Sequence, residues 1–534
     1  MLNTYSPEMS YLAPSASFFQ SVETIGPRAI PGESQPQRYA SFTCCAHQTV
    51  LIWSTGNSPH TVWIHILDDD SLINIFYLYR PPIFDGDESD RVRTFGGKDW
   101  ERERWWHKLA QVCQRWRNLL LGSAFYLGLC LVCTLDTPVA DMLAHSPPLP
   151  LIIDYQCDDG RYYLTAEEEE KIILVLKQRN RVRRVRLRTP IPIMTKLVMA
   201  INEEYPVLEY LILETPPPYG TLASVLPNTL EAPNLRHLLL IGVVPPIESR
   251  ILTTALGMVT LCLNLQKPSG CLQPDILAQC LSIMPQLETL LITTTLLPIT
   301  DHVVRQLSDT PITTCVTLPN LRWFQFEGSD ASHSTAYMDA VIHRITVPRL
   351  ERLTIRLYSD FTLSVPHLPQ FLNTTKNLRF DSATFEFSLY HVLVRLYLRE
   401  EAEVYAISMN VFYMGQFPSP MGQIFNSLSQ KLSTVEHLSL EEASYVYHWR
   451  EVDPTTEWHE FLRSFIHVKT LSVDGLFVEE LSRCLELGDE EHPLGLLPEL
   501  RELTYPGSGD AFTSFVDARR RAGHPVTLVP LPEP

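Results

Sequence analysis

Several side chains in this sequence have the types and the spacing of metal-binding groups. Cys130 and Cys133 are separated by two residues, as zinc-binding cysteines often are, but no second pair accompanies them and both lie in an apolar run. His459 and Glu460 begin like the helix of a zinc protease, yet Arg463 stands where the second histidine is needed. We therefore predict no metal site at either place.

The sequence also lacks the motifs of the common enzyme classes. It has no phosphate-binding glycine loop, no nucleophile elbow and no paired-glycine dinucleotide motif. Acidic residues are frequent, but nothing in the sequence brings two of them together at one site. We predict that the protein is not an enzyme, has no catalytic residue and uses no cofactor. A hidden enzyme would need a deep pocket with convergent polar groups, for which no motif is present.

The charge of the chain argues against nucleic acid and against membranes as partners. The formal net charge is −18 over 534 residues, whereas sequence-independent nucleic-acid binding and anionic membrane surfaces both favour net positive charge. A basic cluster does occur at 177–188, KQRNRVRRVRLR, but it directly follows EEEEKIILVL. Because acidic residues lie so close, we favour a solvated strand face over a nucleic-acid site.

The cysteines and one long uncharged run bear on the cellular location. The eleven cysteines are odd in number, sparse and partly inside apolar runs, which is typical of reduced thiols in an intracellular protein, cytoplasmic or nuclear.

Residues 118–135 carry no charge and just reach the length of a membrane-spanning helix. Since Gly122 and Ser123 interrupt this run, we predict the end of one helix followed by a buried strand, YLGLCLVCTL (126–135).

A recurrent pattern of apolar residues dominates the rest of the chain. An apolar residue is followed by two variable residues, an apolar residue, one variable residue and another apolar residue. The copies are VRRVRL (182–187), LEYLIL (208–213), LRHLLL (235–240), MVTLCL (258–263), LETLLI (287–292), LRWFQF (321–326), LERLTI (350–355), VYAISM (404–409), VEHLSL (435–440), VKTLSV (468–473) and LRELTY (500–505). A degenerate copy lies in NLRFDSATFEF, near Leu378. The mean interval is about 29 residues, at the upper end for leucine-rich repeats.

Each copy predicts a short strand with one buried face, followed by a helical or irregular return. A single unit cannot bury its apolar face, so stacked units share a core and align their strands in a parallel sheet on the concave side. We predict an α/β fold in which residues 126–534 form a degenerate leucine-rich-repeat solenoid. The alternative is an ordinary α/β domain, because the Asn or Cys that usually follows such strands is not consistently present.

The part that precedes this array has a different character. Residues 1–60 are rich in Ser, Pro, Thr and Gly, which predicts a mostly disordered segment with one stray strand at TVLIWS (49–54). Residues 61–125 have helical periodicity. Three aspartates, 68–70, precede the first helix and favour its N-terminus, and Arg80-Pro81-Pro82 ends it. A second apolar stripe runs through WERERWWHKLAQVCQRWRNLL (100–120).

Two stretches of the helical region, LDDDSLINIFYLYRP (67–81) and WWHKLAQVCQRWRNLLLGS (105–123), together resemble an F-box. That family reads loosely as Leu-Pro-x-Glu-x-Leu-x-x-Ile-Phe and later Val-Cys-x-x-Trp-x-x-Leu. The matching positions are Leu67, Leu72, Ile75, Phe76, Val112, Cys113, Trp116 and Leu119. The sequence departs from the pattern at Asp68, where proline is usual, and in the long loop between the halves. These features are similar to the divergent F-boxes of fungal F-box/leucine-rich-repeat proteins.

The resemblance implies a substrate-recognition subunit of a Skp-cullin-F-box ubiquitin ligase. In that family the F-box binds the Skp adaptor and the repeats hold a protein substrate. The residues that would contact the adaptor are Leu67, Leu72, Ile75, Phe76, Leu109, Val112 and Trp116. Some of them must instead form the core of the three short helices, since apolar helices need one. The alternative is a leucine-rich-repeat scaffold with no ligase role, capped by these helices.

The substrate would bind the concave strand face. The variable residues that flank the last two apolar positions of each copy point to that face. The candidates for substrate contact are Arg186, Trp323, Glu327, Arg352, Arg356 and His437. The predicted face is basic at its start and acidic at its end, although a slip of one residue would reverse every side chain. We expect an exposed Trp323 to act as a binding hot spot, with ordinary solvated strand residues as the alternative.

Overall fold

The computed structural model divides into two compact units, residues 1–72 and residues 73–534. The residues that it describes are 50–51, 61–62, 67–81, 102–157, 164–215, 224–246, 249–265, 273–294, 315–328, 331–358, 365–388, 391–401, 404–412, 428, 430–443, 455–487, 495–506 and 511–531. The predicted disordered segment, 1–60, lies almost wholly outside these residues. Within it Val50–Leu51 is a strand, paired antiparallel with Thr61–Val62.

A mixed α/β architecture is built on one large sheet in the second unit. Sixteen strands of the described residues form it. In chain order they are β1 (Leu131–Cys133), β2 (Leu151–Gln156), β3 (Val182–Arg188), β4 (Tyr210–Glu214), β5 (His237–Ile241), β6 (Thr260–Leu265), β7 (Thr289–Thr294), β8 (Trp323–Gly328), β9 (Arg352–Tyr358), β10 (Ser382–Phe387), β11 (His391–Tyr397), β12 (Tyr405–Phe412), β13 (His437–Glu442), β14 (Thr470–Val473), β15 (Glu502–Pro506) and β16 (Thr527–Leu531). Every copy of the apolar pattern, the degenerate one included, therefore contributes a strand.

The order of the strands follows the chain with one exception. From β1 to β9 each strand pairs in parallel with the strand before it, and the same holds from β13 to β16. Between these runs the order is β9-β12-β11-β10-β13, and β11 is antiparallel to both of its neighbours. The prediction of a parallel sheet is confirmed except at β11.

The exception has a simple physical cause. Only residues 388–390 separate β10 from β11, and a parallel connection needs a crossover of about a dozen residues or more. The chain must therefore turn back as a hairpin. As a result, the strand that pairs in parallel with β9 is β12. It is not β10, the strand of the degenerate copy near Leu378.

Helices occupy most of the connections between strands. They are α1 (Asp69–Tyr79), α2 (Trp105–Ala110), α3 (Gln114–Gly122), α4 (Ala124–Leu127), α5 (Val139–His145), α6 (Ala166–Leu176), α7 (Ile191–Ala200), α8 (Arg250–Thr254), α9 (Pro274–Ser282), α10 (Ala331–Ile342), α11 (Leu368–Thr374), α12 (Thr455–Leu462), α13 (Val478–Leu487) and α14 (Thr513–Arg521). Short 3₁₀ helices lie at Arg399–Glu401 and Gly475–Phe477. Two small parallel strand pairs, Ser224–Val225 with Val243–Val244 and Val316–Thr317 with Ile345–Thr346, lie apart from the large sheet.

The uncharged run at 118–135 is divided among three elements. It covers the end of α3, then α4 and β1, and Gly128 ends α4 in the left-handed conformation, at φ +63°. The predicted strand over 126–135 is therefore too long, because its first two residues belong to α4. Among the helices of the described segments, none combines the length and the apolar character that a bilayer span requires.

The core of the sheet is made by equivalent residues of successive strands. Leu238 pairs in register with Leu261, Leu261 with Leu290, and Leu290 with Phe324, and all four are fully buried. Burial of such a row removes apolar side chains of every unit from water at the same time, and each contributes roughly 1.5–3 kcal/mol. The repeated sequence pattern therefore acts on stability through contacts between neighbours.

The turns before the strands also repeat. The tetrapeptide Pro-Asn-Leu-Arg precedes both β5 and β8. In the first, Asn234 Nδ2 donates to the carbonyl of Pro206 at 2.6 Å, and in the second Asn320 Nδ2 donates to the carbonyl of Pro285 at 2.9 Å. In each case the acceptor belongs to the preceding copy of the pattern. The side-chain bond thus ties one turn to the next.

Candidate functional site

The first candidate surface lies on the helices that carry the F-box-like pattern. Asp68 caps α1, because its Oδ1 accepts the backbone N–H of Ser71 at 2.7 Å. Cys113 caps α3 in a similar way, since its Sγ accepts the N–H of Trp116 at 3.4 Å. The cysteine and the tryptophan of the Val-Cys-x-x-Trp pattern are therefore joined by a cap at the start of the helix.

Two of the most specific residues of the pattern pack against each other. The rings of Phe76 and Trp116 meet edge to face, with centroids 5.0 Å apart. Phe76 is fully buried and Trp116 is 8% exposed. These two aromatic side chains, together with Leu120 on the next turn of α3, therefore belong to the core of the helical region rather than to its surface.

The seven residues predicted to contact an adaptor divide by exposure. Leu72, Phe76 and Trp116 are buried. Leu67 and Leu109 are half-buried. Ile75 is 46% exposed and Val112 is 42% exposed, so these two present apolar surface to solvent.

Sequence reasoning missed larger exposed apolar side chains on α1 and on α4, which directly follows the F-box-like stretch 105–123. Leu78 on α1 is 82% exposed, and Phe125 on α4 is fully exposed. Tyr126, next to Phe125, has its ring 5.4 Å from that of Tyr77, which joins α4 to α1. Leu78 follows Ile75 by three residues, a helical spacing that could have indicated it. Phe125 carried no such signal, because it lies between the predicted helix end at Ser123 and the predicted strand 126–135.

We call these exposed residues the helix surface. It consists of Ile75, Tyr77, Leu78, Val112, Phe125 and Tyr126. Five of them lie on α1 and α4, and Val112 lies in the turn between α2 and α3. Single exposed apolar residues are ordinary on proteins, but several together are typical of interaction sites. Their chemistry, aromatic and aliphatic without charge, suits burial against another polypeptide.

The helical region is attached to the start of the sheet. Trp106 Nε1 donates to the carbonyl of Cys130 at 3.2 Å, directly before β1. Arg104 donates to the carbonyl of Val132 at 3.4 Å. An ion pair of 2.8 Å joins Glu103 to Arg184 on β3. The helix surface and the sheet are therefore linked by polar contacts as well as by sequence.

The second candidate surface is the strand face whose residues alternate with the core. The predicted register is correct at β3, where Arg184, Arg186 and Arg188 are half-buried while Val185 and Leu187 are buried. Arg184 pairs in register with Tyr210, and Tyr210 pairs with His237. Residues at the same position of successive copies thus form rows across the sheet, as the pattern predicts.

The predicted substrate-contact residues lie on this face but differ in exposure. Arg186, Glu327, Arg352, Arg356 and His437 are half-buried. Trp323 is only 7% exposed, so the expectation of an exposed hot spot there is wrong. Its neighbours in register on the same face are Thr289 of β7 and Arg352 of β9, and the alternation of apolar residues does not encode how closely such side chains pack.

Most arginines of this face are neutralised within the protein. Arg188 pairs with Glu214 at 3.5 Å and Arg356 with Glu327 at 3.9 Å, each between adjacent strands. Two further arginines of the basic cluster are also paired, Arg183 with Glu209 at 2.9 Å and Arg179 with Glu203. At β3, where the sequence predicts the basic start of the strand face, acidic side chains of the protein itself therefore neutralise Arg184 and Arg188.

An apolar row, which sequence reasoning missed, crosses the middle of the same face. Ile212, Leu239, Cys262 and Leu291 are in register on four successive strands and form one buried cluster. The signal was the continuous apolar run at the end of the copies, such as LIL and LLL. Further along, the row becomes polar, with Gln325, Thr354 and Ser408. The strand face therefore changes from apolar to polar along the chain.

The cysteines that had metal-like spacing lie in apolar surroundings. Burial raises the pKa of the Cys133 thiol to about 12, and it raises the pKa of the Cys130 thiol as well. The Cys133 thiol lies 3.9 Å from the sulfur of Met142. His459 contacts the carbonyl of Cys484 through Nε2, at 3.1 Å. Across the described ranges, no three His, Cys, Asp or Glu side chains converge as a metal ion would require.

The sequence was compared with models of known families and with curated proteins. Neither comparison gives a match. What the chain does is therefore inferred from its sequence pattern and from these two surfaces: an exposed apolar helix surface and a strand face with an apolar row beside paired charges.

Proposed function

We propose that this protein is the substrate-recognition subunit of a Skp-cullin-F-box ubiquitin ligase. The helix surface would bind the Skp adaptor, and the strand face would hold a protein substrate. The observation that carries this proposal is the exposed apolar surface on α1, whose sequence resembles an F-box, and on α4, which directly follows the second F-box-like stretch. Leu78 and Phe125 would otherwise leave large apolar groups in water.

The sheet belongs to the same proposal. In it, residues 126–534 form a leucine-rich-repeat solenoid and the strand face is its concave side. The support for this is a strand from every copy of the pattern, mostly parallel order along the chain and rows of equivalent buried residues. The hairpin that contains β11 interrupts the regular succession of units, so curvature would be irregular at that point.

The adaptor contact is tested by changing exposed residues, because changes at Phe76 or Trp116 would disturb the core. Leu78→Asp places a charge in the proposed interface, and we expect it to weaken binding of a purified Skp adaptor at least about tenfold. Met199→Asp is the matched control, since Met199 is a similarly exposed apolar residue on α7. Affinities are measured by titration calorimetry.

The outcomes separate the two functions. Binding by the wild type that is lost with Leu78→Asp and kept with Met199→Asp supports the ligase subunit. If the wild type does not bind the adaptor, or if both variants bind as the wild type does, the ligase role is wrong.

A scaffold without a ligase role is the second candidate. The attachment of the helical region to the sheet favours it, because Trp106 and Arg104 donate to the backbone of the first strand region, as a cap would. Under this alternative the helices would close the end of the array and would recruit no adaptor. It predicts normal folding and no adaptor binding for every variant.

A further inference from the structure

A continuous chain of side-chain contacts runs from the helical region across the strand face. Glu103, just before α2, pairs with Arg184 of β3 at 2.8 Å. The guanidinium of Arg184 lies over the ring of Tyr210 on β4, with its Cζ 4.6 Å from the centroid. The two side chains of the ion pair are 24% and 33% exposed, so solvent screens them only in part.

The chain continues over two more strands. The ring of Tyr210 stacks on that of His237 on β5, with centroids 4.3 Å apart and planes inclined by 11°. His237 Nδ1 lies 3.1 Å from Thr260 Oγ1 on β6. All four strand residues occupy the same row, because the register pairs Arg184 with Tyr210, Tyr210 with His237 and His237 with Thr260. We call this chain, from Glu103 to Thr260, the ladder.

Arg184 is the residue that makes the ladder continuous. Its guanidinium bonds a helical residue on one side and covers a strand aromatic ring on the other, which a compact ammonium group could not do equally well. Arg188 is four residues further along the same strand, on the same face, and it pairs instead with Glu214 of the next strand. Arg184 therefore pairs with a residue of the helical region, whereas Arg188 pairs with a residue of the neighbouring strand.

We infer that Arg184 is a positioning residue that fixes the direction of the helix surface relative to the strand face. Trp106 and Arg104 attach the helical region to β1, at the edge of the sheet, and the Glu103–Arg184 pair adds a contact two strands further into the sheet. Within the ladder only the Glu103–Arg184 pair crosses to the helical region, and the contacts with Tyr210, His237 and Thr260 hold Arg184 in place for it. The consequence for function rests on the proposed ligase role: an adaptor on the helix surface and a substrate on the strand face would be held at a fixed mutual orientation.

The test measures orientation rather than stability. Fluorophores are placed on the full-length protein at Lys108 of α2 and at Leu256, both exposed, and the distance distribution is recorded by single-molecule energy transfer. We expect Arg184→Ala to widen the distribution about twofold, and Glu103→Ala to widen it similarly. The double variant should add nothing further, because both changes break the same connection. Arg184→Lys should restore part of the narrow distribution.

Arg188→Ala is the matched control, with an expected distribution as narrow as that of the wild type. Thermal unfolding followed by circular dichroism verifies that each variant is folded. A narrow distribution for Arg184→Ala, or equal widening by Arg188→Ala, would overturn the inference. Adaptor binding is measured separately on Arg184→Ala, where we expect wild-type affinity. If the wild type itself fails to bind the adaptor, the proposed function is wrong, whereas the distance measurement still decides the role of Arg184.

Discussion

At the scale of single residues, the F-box-like pattern separates into core positions and surface positions. Phe76 and Trp116 are in contact and buried, whereas Ile75, one residue before Phe76, is 46% exposed. A sequence motif mixes both kinds because each turn of a helix has a buried and an exposed side. The two kinds predict different effects of substitution.

Phe76→Ala should destabilise the protein by about 3–5 kcal/mol, because it removes a buried ring and leaves a cavity beside Trp116. Ile75→Ala should change the free energy of unfolding by less than about 1 kcal/mol, since much of its side chain is already in water. Urea denaturation followed by tryptophan fluorescence measures both. Equal losses for the two variants would contradict the assignment of core and surface.

A pair of stacked histidines predicts a dependence of stability on pH. The rings of His343 and His367 are 3.5 Å apart, and His367 Nδ1 lies 2.6 Å from Asp339 Oδ2. Burial and the neighbouring His367 lower the pKa of His343, and Arg344 adds to this, while Asp339 opposes it. In the unfolded chain His343 has its ordinary pKa, near 6.5.

The unfolded state therefore binds this proton first as the pH falls below about 6.5, and the folded state loses stability over that range. We expect His343→Gln to reduce the loss of stability between pH 7 and pH 5. His524→Gln, at an exposed histidine, is the control and should leave the pH dependence unchanged. The free energy of unfolding is measured at several pH values. If His343→Gln has the same pH dependence as the wild type, His343 does not resist protonation in the folded protein.

At the scale of elements, close packing of a strand end against a helix gives a prediction about stability. A Cβ on Gly328, the last residue of β8, would lie 2.4 Å from Cβ of Ser334 on α10. Ser334 is fully buried, and Thr294 Oγ1 bonds its hydroxyl at 2.8 Å. Gly328→Ala should therefore cost about 1–3 kcal/mol by overpacking.

Gly257→Ala is the control for that change, because a Cβ there would meet no atom within 4 Å. Thermal melting of the two variants compares them directly. If Gly328→Ala melts like Gly257→Ala, α10 is not held against the end of β8 as the structure has it.

The same scale explains how much of the fold could be predicted from the sequence. Strands with the repeated pattern, such as β5 and β9, were predictable because alternation and spacing both indicate them. β2, β11 and β16 carry no copy of the pattern, and the reversal at β11 depends on a short connection rather than on any motif. Pairing order is a non-local property, which local periodicity does not encode.

The candidate site was predictable to a smaller extent. The register of Arg184, Arg186 and Arg188 followed from the alternation of β3. The ion pair of Arg184 did not, because Glu103 is distant from it in sequence, and the two meet only through the attachment of the helices. The burial of Trp323 escaped prediction for a similar reason, since it depends on neighbours in register, Thr289 and Arg352, that are distant in sequence.

At the scale of the whole molecule, the second unit carries two surfaces of different chemistry. The helix surface is apolar and exposed, and the strand face combines paired charges with an apolar row. Apolar burial depends weakly on salt, whereas exposed ion pairs are screened by it. We therefore expect adaptor affinity to change less than about threefold between low and moderate salt, as calorimetry at two salt concentrations would measure. A steep fall in affinity with salt would indicate that charges, not the helix surface, dominate binding.

The central claim is that the helix surface binds a Skp adaptor, and hydrogen exchange of the full-length protein tests it most directly. Amide exchange is followed by mass spectrometry with and without the purified adaptor. The account predicts slower exchange in residues 73–79 and 112–127 when the adaptor is present, and unchanged exchange in β13 to β16. Exchange that is identical with and without the adaptor, or protection confined to the strands, would contradict it.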